Sequence, residues 1–377
     1  MKERDQRKKN TAKMSKYWRL ISGFVLLLCG ISNFTSNAQE EGGTTGSTYD
    51  PVRITAQPDI ILTQHWEMPT LLNPAATGNI DFIRIRGAAR LDYLGSKDSP
   101  KNFIGIADSP FKLSGKRIGA GLIVSSQSYD LFRNLLVGAQ GSYKFQLKKS
   151  TLSIGIQLGY YHSKFKGSEL ILSNTGNTGN EEGGEGEDKN DENKAESSFD
   201  TDLPTHDVSG GAFDFSLGVR YEHPKFHLGL SALHLTSSKV KLSKDGENAT
   251  DLQYIESKLP MTLYFEAGGN IAINNSLFTL QPSLLLGTEF SDFTGIAEMR
   301  ATYNQKITFG VDYRYNRAVG VLAGLSLKNF YIGYNWEYDY KLHPRGSTGN
   351  HELVLGYQFK MDMGGKSNFS QRSIRIM

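Results

Sequence analysis

The sequence has one cysteine and 11 prolines among 377 residues. A single Cys excludes a disulfide framework. Long apolar runs are scarce too: one sustained run, residues 20–31, lies near the N-terminus, and the mean hydropathy is −0.40. A polytopic helical membrane protein needs repeated apolar runs of about 20 residues, so that class is excluded. No charge sign dominates, with 42 Lys and Arg against 39 Asp and Glu. Gly (40), Phe (20) and Tyr (18) are abundant instead. That aromatic content is too high for a disordered chain and suggests a protein made mostly of strands.

The N-terminus reads as a secretory signal. Lys8, Lys9, Lys13, Lys16 and Arg19 form a basic region, residues 20–31 an apolar one, and Ser36-Asn37-Ala38 a small-residue cleavage site. Cleavage is expected after Ala38, so residues 1–38 are a signal peptide. An uncleaved anchor helix fits less well, because the apolar run is short for a span. A lipoprotein built on Cys29 fits less well again, because Leu28 precedes it. Residues 1–38 carry eight Lys and Arg and two acids, about +6, so removing them from a formal +3 leaves the mature chain near −3. The basic isoelectric point therefore belongs to the signal and does not support a nucleic-acid partner. Cys29 leaves as well, which excludes thiol catalysis and suits an oxidising envelope compartment.

From Asp81 onward apolar and polar residues alternate in stretches of about ten. Leu152, Ile154, Ile156, Leu158 and Tyr160 share one face of a strand, and Ser153, Gly155, Gln157, Gly159 and Tyr161 the other. Phe213 to Tyr221, Ile307 to Tyr315 and Leu353 to Phe359 repeat the pattern. A soluble sandwich would bury the apolar face, whereas a transmembrane barrel turns it to lipid and keeps the polar face in the lumen. Three features favour the barrel. The strands exceed the usual soluble length. Aromatics gather at strand ends (Tyr160, Tyr161, Tyr313, Tyr315, Tyr338, Tyr340), as interfacial girdles require. The polar faces carry charge in mid-strand: Glu266, Glu298 with Arg300, Asp312 with Arg314, and Glu337 with Asp339.

The expected fold is thus all-β, a transmembrane up-and-down antiparallel β-barrel of about 14 strands. The strands are placed at 81–92, 101–110, 117–129, 133–146, 151–164, 211–222, 226–236, 260–273, 277–290, 294–303, 306–315, 319–327, 330–340 and 350–361. Tight turns fall at Lys148-Lys149-Ser150, His223-Pro224-Lys225, Asn274-Asn275, Asn304-Gln305 and Lys328-Asn329, with long connections at 165–210 and 237–259. An even strand number puts both termini in the periplasm. Residues 39–79 are an N-terminal periplasmic or plug segment with a flexible lead-in over 39–58. Residues 80–361 are the barrel, and 362–377 a periplasmic tail. Within the barrel, 174–210 is an acidic disordered extracellular loop, with eleven acids and two Lys from Glu181 to Asp207. Calcium binding around Asp188, Asn190, Asp191 and Glu192 is disfavoured, because the Gly and Glu of an EF-hand loop are out of register.

No catalytic, cofactor or metal residue is assigned. Gly119-Ala120-Gly121 lies within a strand pattern and lacks the third Gly of a phosphate cradle; a lumen-facing Gly more simply marks a close approach. His351-Glu352 lacks the second His of a zinc-protease motif. The other His residues show no ligand spacing, and no Gly-x-Ser-x-Gly elbow exists. In Asn73-Pro74-Ala75-Ala76-Thr77-Gly78, Pro restricts Asn73 to extended conformations and Gly78 permits a reversal. Two readings stay open: a turn that starts the barrel, or a segment folded into its mouth or lumen, where Trp66, Leu71 and Leu72 would find apolar partners.

Gln57-Pro58-Asp59 to Gln64, followed by Leu71 to Gly78, resembles the N-terminal signature of the PorP/SprF family. Residues 117–124 look like its Gly-rich third strand, and Leu259-Pro260 to Phe265 with Leu280-Gln281-Pro282-Ser283 like its central strands. Ile332-Gly333-Tyr334, Tyr338-Asp339-Tyr340 and His351 to Phe359 look like its C-terminal pattern. The resemblance implies a non-enzymatic outer-membrane barrel of Bacteroidetes associated with the type IX secretion system. Its implied role is secretion or surface attachment of large adhesins, in some members for gliding motility. The implied partners are outer-membrane lipid, secreted adhesin cargo and periplasmic type IX ring components. Asn73, Pro74, Ala75, Gly78, Tyr338, Asp339, His351, Glu352, Tyr357 and Phe359 follow as structural or interaction candidates. The tail beyond Phe359 and the acidic insertion depart from the family pattern. The competing reading is an outer-membrane transporter or porin for small or hydrophobic solutes, like the fourteen-stranded fatty-acid transporters.

Overall fold

The computed structural model describes residues 52–56, 59–96, 99–169, 203–243, 254–273 and 277–361. The signal peptide with its cleavage site, the acidic run from 174 to 202, the Asn274-Asn275 turn and the tail 362–377 lie outside the described residues.

Along the chain come β1 (Val52–Thr55), β2 (Phe82–Leu91), β3 (Lys101–Leu113), β4 (Lys116–Tyr129), β5 (Phe132–Gln146) and β6 (Thr151–Lys166). Next are β7 (Asp207–His223), β8 (Phe226–Leu233), β9 (Lys239–Leu242), β10 (Ile255–Lys258), β11 (Thr262–Gly269) and β12 (Ile271–Ala272). The last six are β13 (Phe278–Thr288), β14 (Phe293–Tyr303), β15 (Ile307–Arg314), β16 (Ala318–Leu327), β17 (Phe330–Asp339) and β18 (Asn350–Lys360). Strands β2 to β8, β11 and β13 to β18 pair antiparallel with their chain neighbours. The ring closes where β18 pairs with β2, Leu355 opposite Gly87, and where β11 pairs with β13, Phe265 opposite Leu286. Strand β12 continues β11 past a break at Asn270. The result is a closed barrel of 14 strands, each at an expected position.

Side-chain exposure fixes which face is lumen. On β6, Ile154, Ile156 and Leu158 are 44%, 44% and 60% exposed, whereas Ser153 and Gln157 are 0% and 2%. A sandwich would show the reverse, so the apolar face points outward and the polar face inward. Tyr160, Tyr313, Tyr315, Tyr338 and Tyr340 point outward as girdle residues, but Tyr161 does not. It is buried, on the inward parity of β6, against Phe165 and Val208.

Connections at the end where β2 begins and β18 finishes are short. Ser114 and Gly115, Asn304 and Gln305, and Lys328 adopt positive φ there, as tight hairpin turns require. The long connections 167–206 and 234–261 lie at the other end, the extracellular one in an outer-membrane barrel. One expectation about the loops fails at this end: residues 207–210 belong to β7, not to a loop. The long connection expected at 237–259 is there, and it contains β9 and β10. These pair antiparallel with each other, and β1 pairs parallel with β10, Val52 opposite Ile255. Residues 52–55 are therefore a strand, not a flexible lead-in, and they sit at the long-loop end. Strand parity locates the start of β2 at the periplasmic end. It says nothing of the chain before β2, which crosses the lumen from the opposite side.

Candidate functional site: the filled lumen

Residues 59–79 run down the barrel interior, from Asp59 beside the outer ends of β8 and β11 to Asn79 beside Glu222 near the inner end of β7. Three short 3₁₀ turns shape the segment: His65–Glu67, Pro69–Leu71 and Pro74–Ala76. Pro69 and Pro74 each open a turn, where a missing N–H costs nothing. Asn73 is extended (φ −143°, ψ 104°), as a residue before Pro must be, and its Oδ1 accepts from Ala75 N at 3.0 Å. Gly78 has φ +59°, and its N–H donates to Asp108 Oδ2 at 2.7 Å. Of the two readings left open by the sequence, the lumen one holds. Leu71 and Leu72 join Leu62 and Met68 in a buried cluster with Ile104, Ile123, Leu285, Ile296 and Val354, and Trp66 packs against it.

Polar contacts tie the segment to the wall at four levels. At the outer mouth, Asp59 accepts from Tyr264 Oη at 3.0 Å and pairs with His234 Nε2 at 2.7 Å. Below it, Glu352 takes both backbone N–H groups of Thr63 and Gln64 at 2.8 Å. Thr63 Oγ1 donates to Glu337. Arg90 reaches Glu337 at 2.6 Å and Glu352 at 3.3 Å, and Arg314 reaches Glu337 at 3.2 Å. All four of these charged groups are buried. Two carboxylates thus meet two guanidiniums, and the plug backbone supplies further donors. In mid-lumen, Trp66 Nε1 donates to Glu298 at 3.1 Å under the Arg300 guanidinium, which lies 3.9 Å from the indole ring. At the inner level, Gln140, Ser231 and Ser142 donate to the carbonyls of Thr70, Leu72 and Thr77 at 2.7, 2.5 and 2.7 Å. Asp108, held bidentately by Arg84 at 2.8 and 2.7 Å, receives the Gly78 N–H.

The wall is thinned where the plug lies on it. A Cβ at Gly155 would fall on the Pro74–Ala75 peptide, and one at Gly119 on the Thr77 carbonyl. The close-approach reading of Gly119 therefore holds. Gly155→Val is expected to lower barrel stability by about 1–3 kcal/mol through overpacking. Gly141→Val, outward on β5 with nothing within 4 Å, is the control and should be near neutral. Urea midpoints of the two variants in detergent check this.

His234 lies just past β8 in the outer connection. Burial pushes its imidazolium toward the neutral form, but the charges of Asp59 and Asp214 outweigh this and raise its pKa to about 10. Its ordinary value is about 6.5, so the stabilisation is fully present below that pH and is lost as pH rises through about 10. Urea midpoints should fall across this window in the native chain, and His234→Gln should flatten that fall.

The ten residues singled out from sequence separate into three places. Asn73, Pro74, Ala75 and Gly78 are in the plug; Asn73 also donates to Val219 O at 3.2 Å. Asp339 and Glu352 face the lumen. Asp339 accepts from Tyr93 Oη at 2.9 Å and Arg317 Nε at 3.2 Å at the outer end of β17. Tyr338, His351, Tyr357 and Phe359 are on the outward face and do not meet the others. Tyr357 stacks edge-on against Phe330 and Phe359, with centroids 4.4 and 4.5 Å apart, and His351 hydrogen-bonds Tyr334 Oη at 2.6 Å. Arg84, Arg90 and Asp108 were missed, although Arg84-x-Arg86 alternating with Ile83 and Ile85 is a lumen signal.

Solved outer-membrane proteins resemble the chain in part. The P. putida toluene transporter TodX is 15% identical, over 78% of this chain and 93% of TodX, with a TM-score of 0.42. CymD, a monoaromatic hydrocarbon channel, is 10% identical over 81% of this chain and 94% of its own, at 0.44. A Pseudomonas aeruginosa FadL homologue is 13% identical over 77% and 93%, at 0.42. No protein of curated function matches the chain. The family described as type IX secretion system membrane protein PorP/SprF matches residues 54–357, from within β1 to within β18, and the chain belongs to that family.

Proposed function

We propose that this protein is a non-enzymatic outer-membrane platform that supports secretion or surface attachment of large adhesins through the type IX system, with a link to gliding motility. The observation that carries this reading is the filled lumen. A conduit for small solutes needs a clear path, but residues 59–79 occupy the path and are bonded to the wall at every level. The transporter reading would need the buried Arg90–Glu337–Glu352 cluster to open during each passage. A barrel closed this way acts through its two ends: loops toward secreted protein, and the inner face toward periplasmic ring components.

The test is to tag residue 377, extract the native outer membrane in mild detergent, and identify co-purifying proteins by mass. A large secreted adhesin or periplasmic ring proteins, recovered near stoichiometrically, is the expected result. A clean monomeric barrel with no partner would return the function to the transporter reading.

A further inference from the structure

Strands β1, β10 and β9 form a small sheet with two unlike faces. Ile255, Ser257, Val240 and Leu242 are buried on its inner face, which packs on Tyr161, Phe165 and Val208 at the outer ends of β6 and β7. On its outer face the register sets Arg53, Glu256 and Lys241 in one row and Thr55, Lys258 and Lys239 in the next. Arg53, Lys239, Lys241 and Lys258 are exposed, and Glu256 is the one acid among them. Lys239 lies 3.0 Å from Glu256, and Lys241 lies over the Tyr254 ring at 4.2 Å. The face carries four cations and one carboxylate, on a mature chain expected to be net acidic.

Resting on the outer-membrane reading, we propose that this face is an exterior docking surface for an acidic, strand-forming segment of a secreted protein. β1 ends the sheet order and, among the described residues, pairs only with β10. Its other edge can take one more extended strand. Alternate side chains of that strand would fall on the same face as the two cationic rows, at strand spacing. Alternate carboxylates would stand beside Arg53 and within reach of Lys258, one strand further in, and so fit by charge. The chain's own acidic run, residues 181–188, is a poor match for such an edge. It is half Gly and Asp, residues depleted in strands, and holds no β-branched or aromatic residue. The placement also carries a topological claim. The chain that enters β2 from the periplasmic end has already crossed the barrel from outside, so β1 stands on the cell surface.

Two measurements test this. The first uses the full-length protein in detergent and a short peptide of alternating Glu and Thr, followed by fluorescence anisotropy. Binding is expected at low ionic strength, absent for the Lys and Thr counterpart, and suppressed near about 1 M salt. Arg53→Gln/Lys241→Gln/Lys258→Gln, which removes the cation on β1 and those behind it in the two rows, checked for folding by heat-modifiable gel migration, should weaken it about tenfold. No binding, or binding unchanged by the triple variant, overturns the proposal. So does binding that appears only after deletion of residues 181–202, which would make the chain's own loop the occupant. Equal binding to phosphatidylglycerol vesicles, weakened by the same triple variant, overturns it in favour of lipid. The second introduces Thr55→Cys or Lys149→Cys into the otherwise Cys-free mature chain and labels intact cells with an impermeant maleimide. Labelling at Thr55 but not at Lys149 is expected. Protection of Thr55 overturns the exterior placement, whereas the secretion role stands or falls separately on the co-purification.

Discussion

A variant lacking residues 39–79, with Ile80 placed directly after the expected signal peptide, is expected to insert as a folded barrel and to conduct ions where the full-length protein does not. The wall's hydrogen-bond ladder is complete without the plug, since β2 pairs with β18 and β3 through its own backbone. Removing the plug strips Glu352 of two N–H donors and Asp108 of one. It leaves those carboxylates beside Arg90 and Arg84, in a lumen that water then enters. Rehydration offsets most of that loss, so the barrel should stay resistant to SDS at room temperature. Eight-stranded barrels fill their lumens with side chains, and sixteen-stranded ones leave channels. A fourteen-stranded barrel emptied of a 21-residue segment belongs with the second group. Conductance in planar bilayers should rise by about tenfold or more over the full-length protein. A shortened barrel that folds yet stays closed would show that the plug is not the barrier. A full-length protein that already conducts steadily would remove the main support for the platform reading.

The wall was legible in the sequence because its signal is local and repeated. In residues 151–160 apolar side chains alternate with polar ones or Gly, and that period alone marks a strand and separates its two faces. The lumen charges followed for the same reason: Glu298, Arg300, Asp312 and Arg314 sit on the polar parity of strands already placed. The pairing between them did not follow. Glu337 and Glu352 lie on successive strands, but their partners come from β2, β15 and residues 63 and 64, which only closure of the ring brings together. The plug was half legible. Pro74 and Gly78 announced a constrained turn, but no sequence period separates a segment inside a barrel from one below it. The outer sheet was invisible because four-residue strands carry too few alternations to stand out from a loop. β1 pairs with β10 across about 200 residues, and nothing local marks that partner.

Glu337→Ala should be among the most destabilising single substitutions in the chain, at about 3–5 kcal/mol. Glu337 is 1% exposed and bridges Arg90, Arg314 and the Thr63 hydroxyl. Its removal strips Arg314 of its Glu337 partner and leaves Arg90 with Asp92 at 2.9 Å and Glu352 at 3.3 Å, in a closed lumen. Glu337→Gln keeps acceptor oxygen and shape but not charge, so it should cost less than Ala while remaining clearly destabilising. Thr63→Val removes a plug partner of the same carboxylate. In a double-mutant cycle with Glu337→Ala its effect should shrink by about 0.5–3 kcal/mol, because both changes break one network. Glu337→Ala alone, made in the chain lacking residues 39–79, separates wall from plug. There Glu337→Ala should cost less, because water reaches the stranded guanidiniums. Urea midpoints in detergent read all of these. A loss under about 1 kcal/mol for Glu337→Ala in the full-length protein would mean that the cluster is already hydrated. The plug would then be held by its other contacts, Asp59 at the outer mouth, Trp66 in mid-lumen and residues 70–78 below.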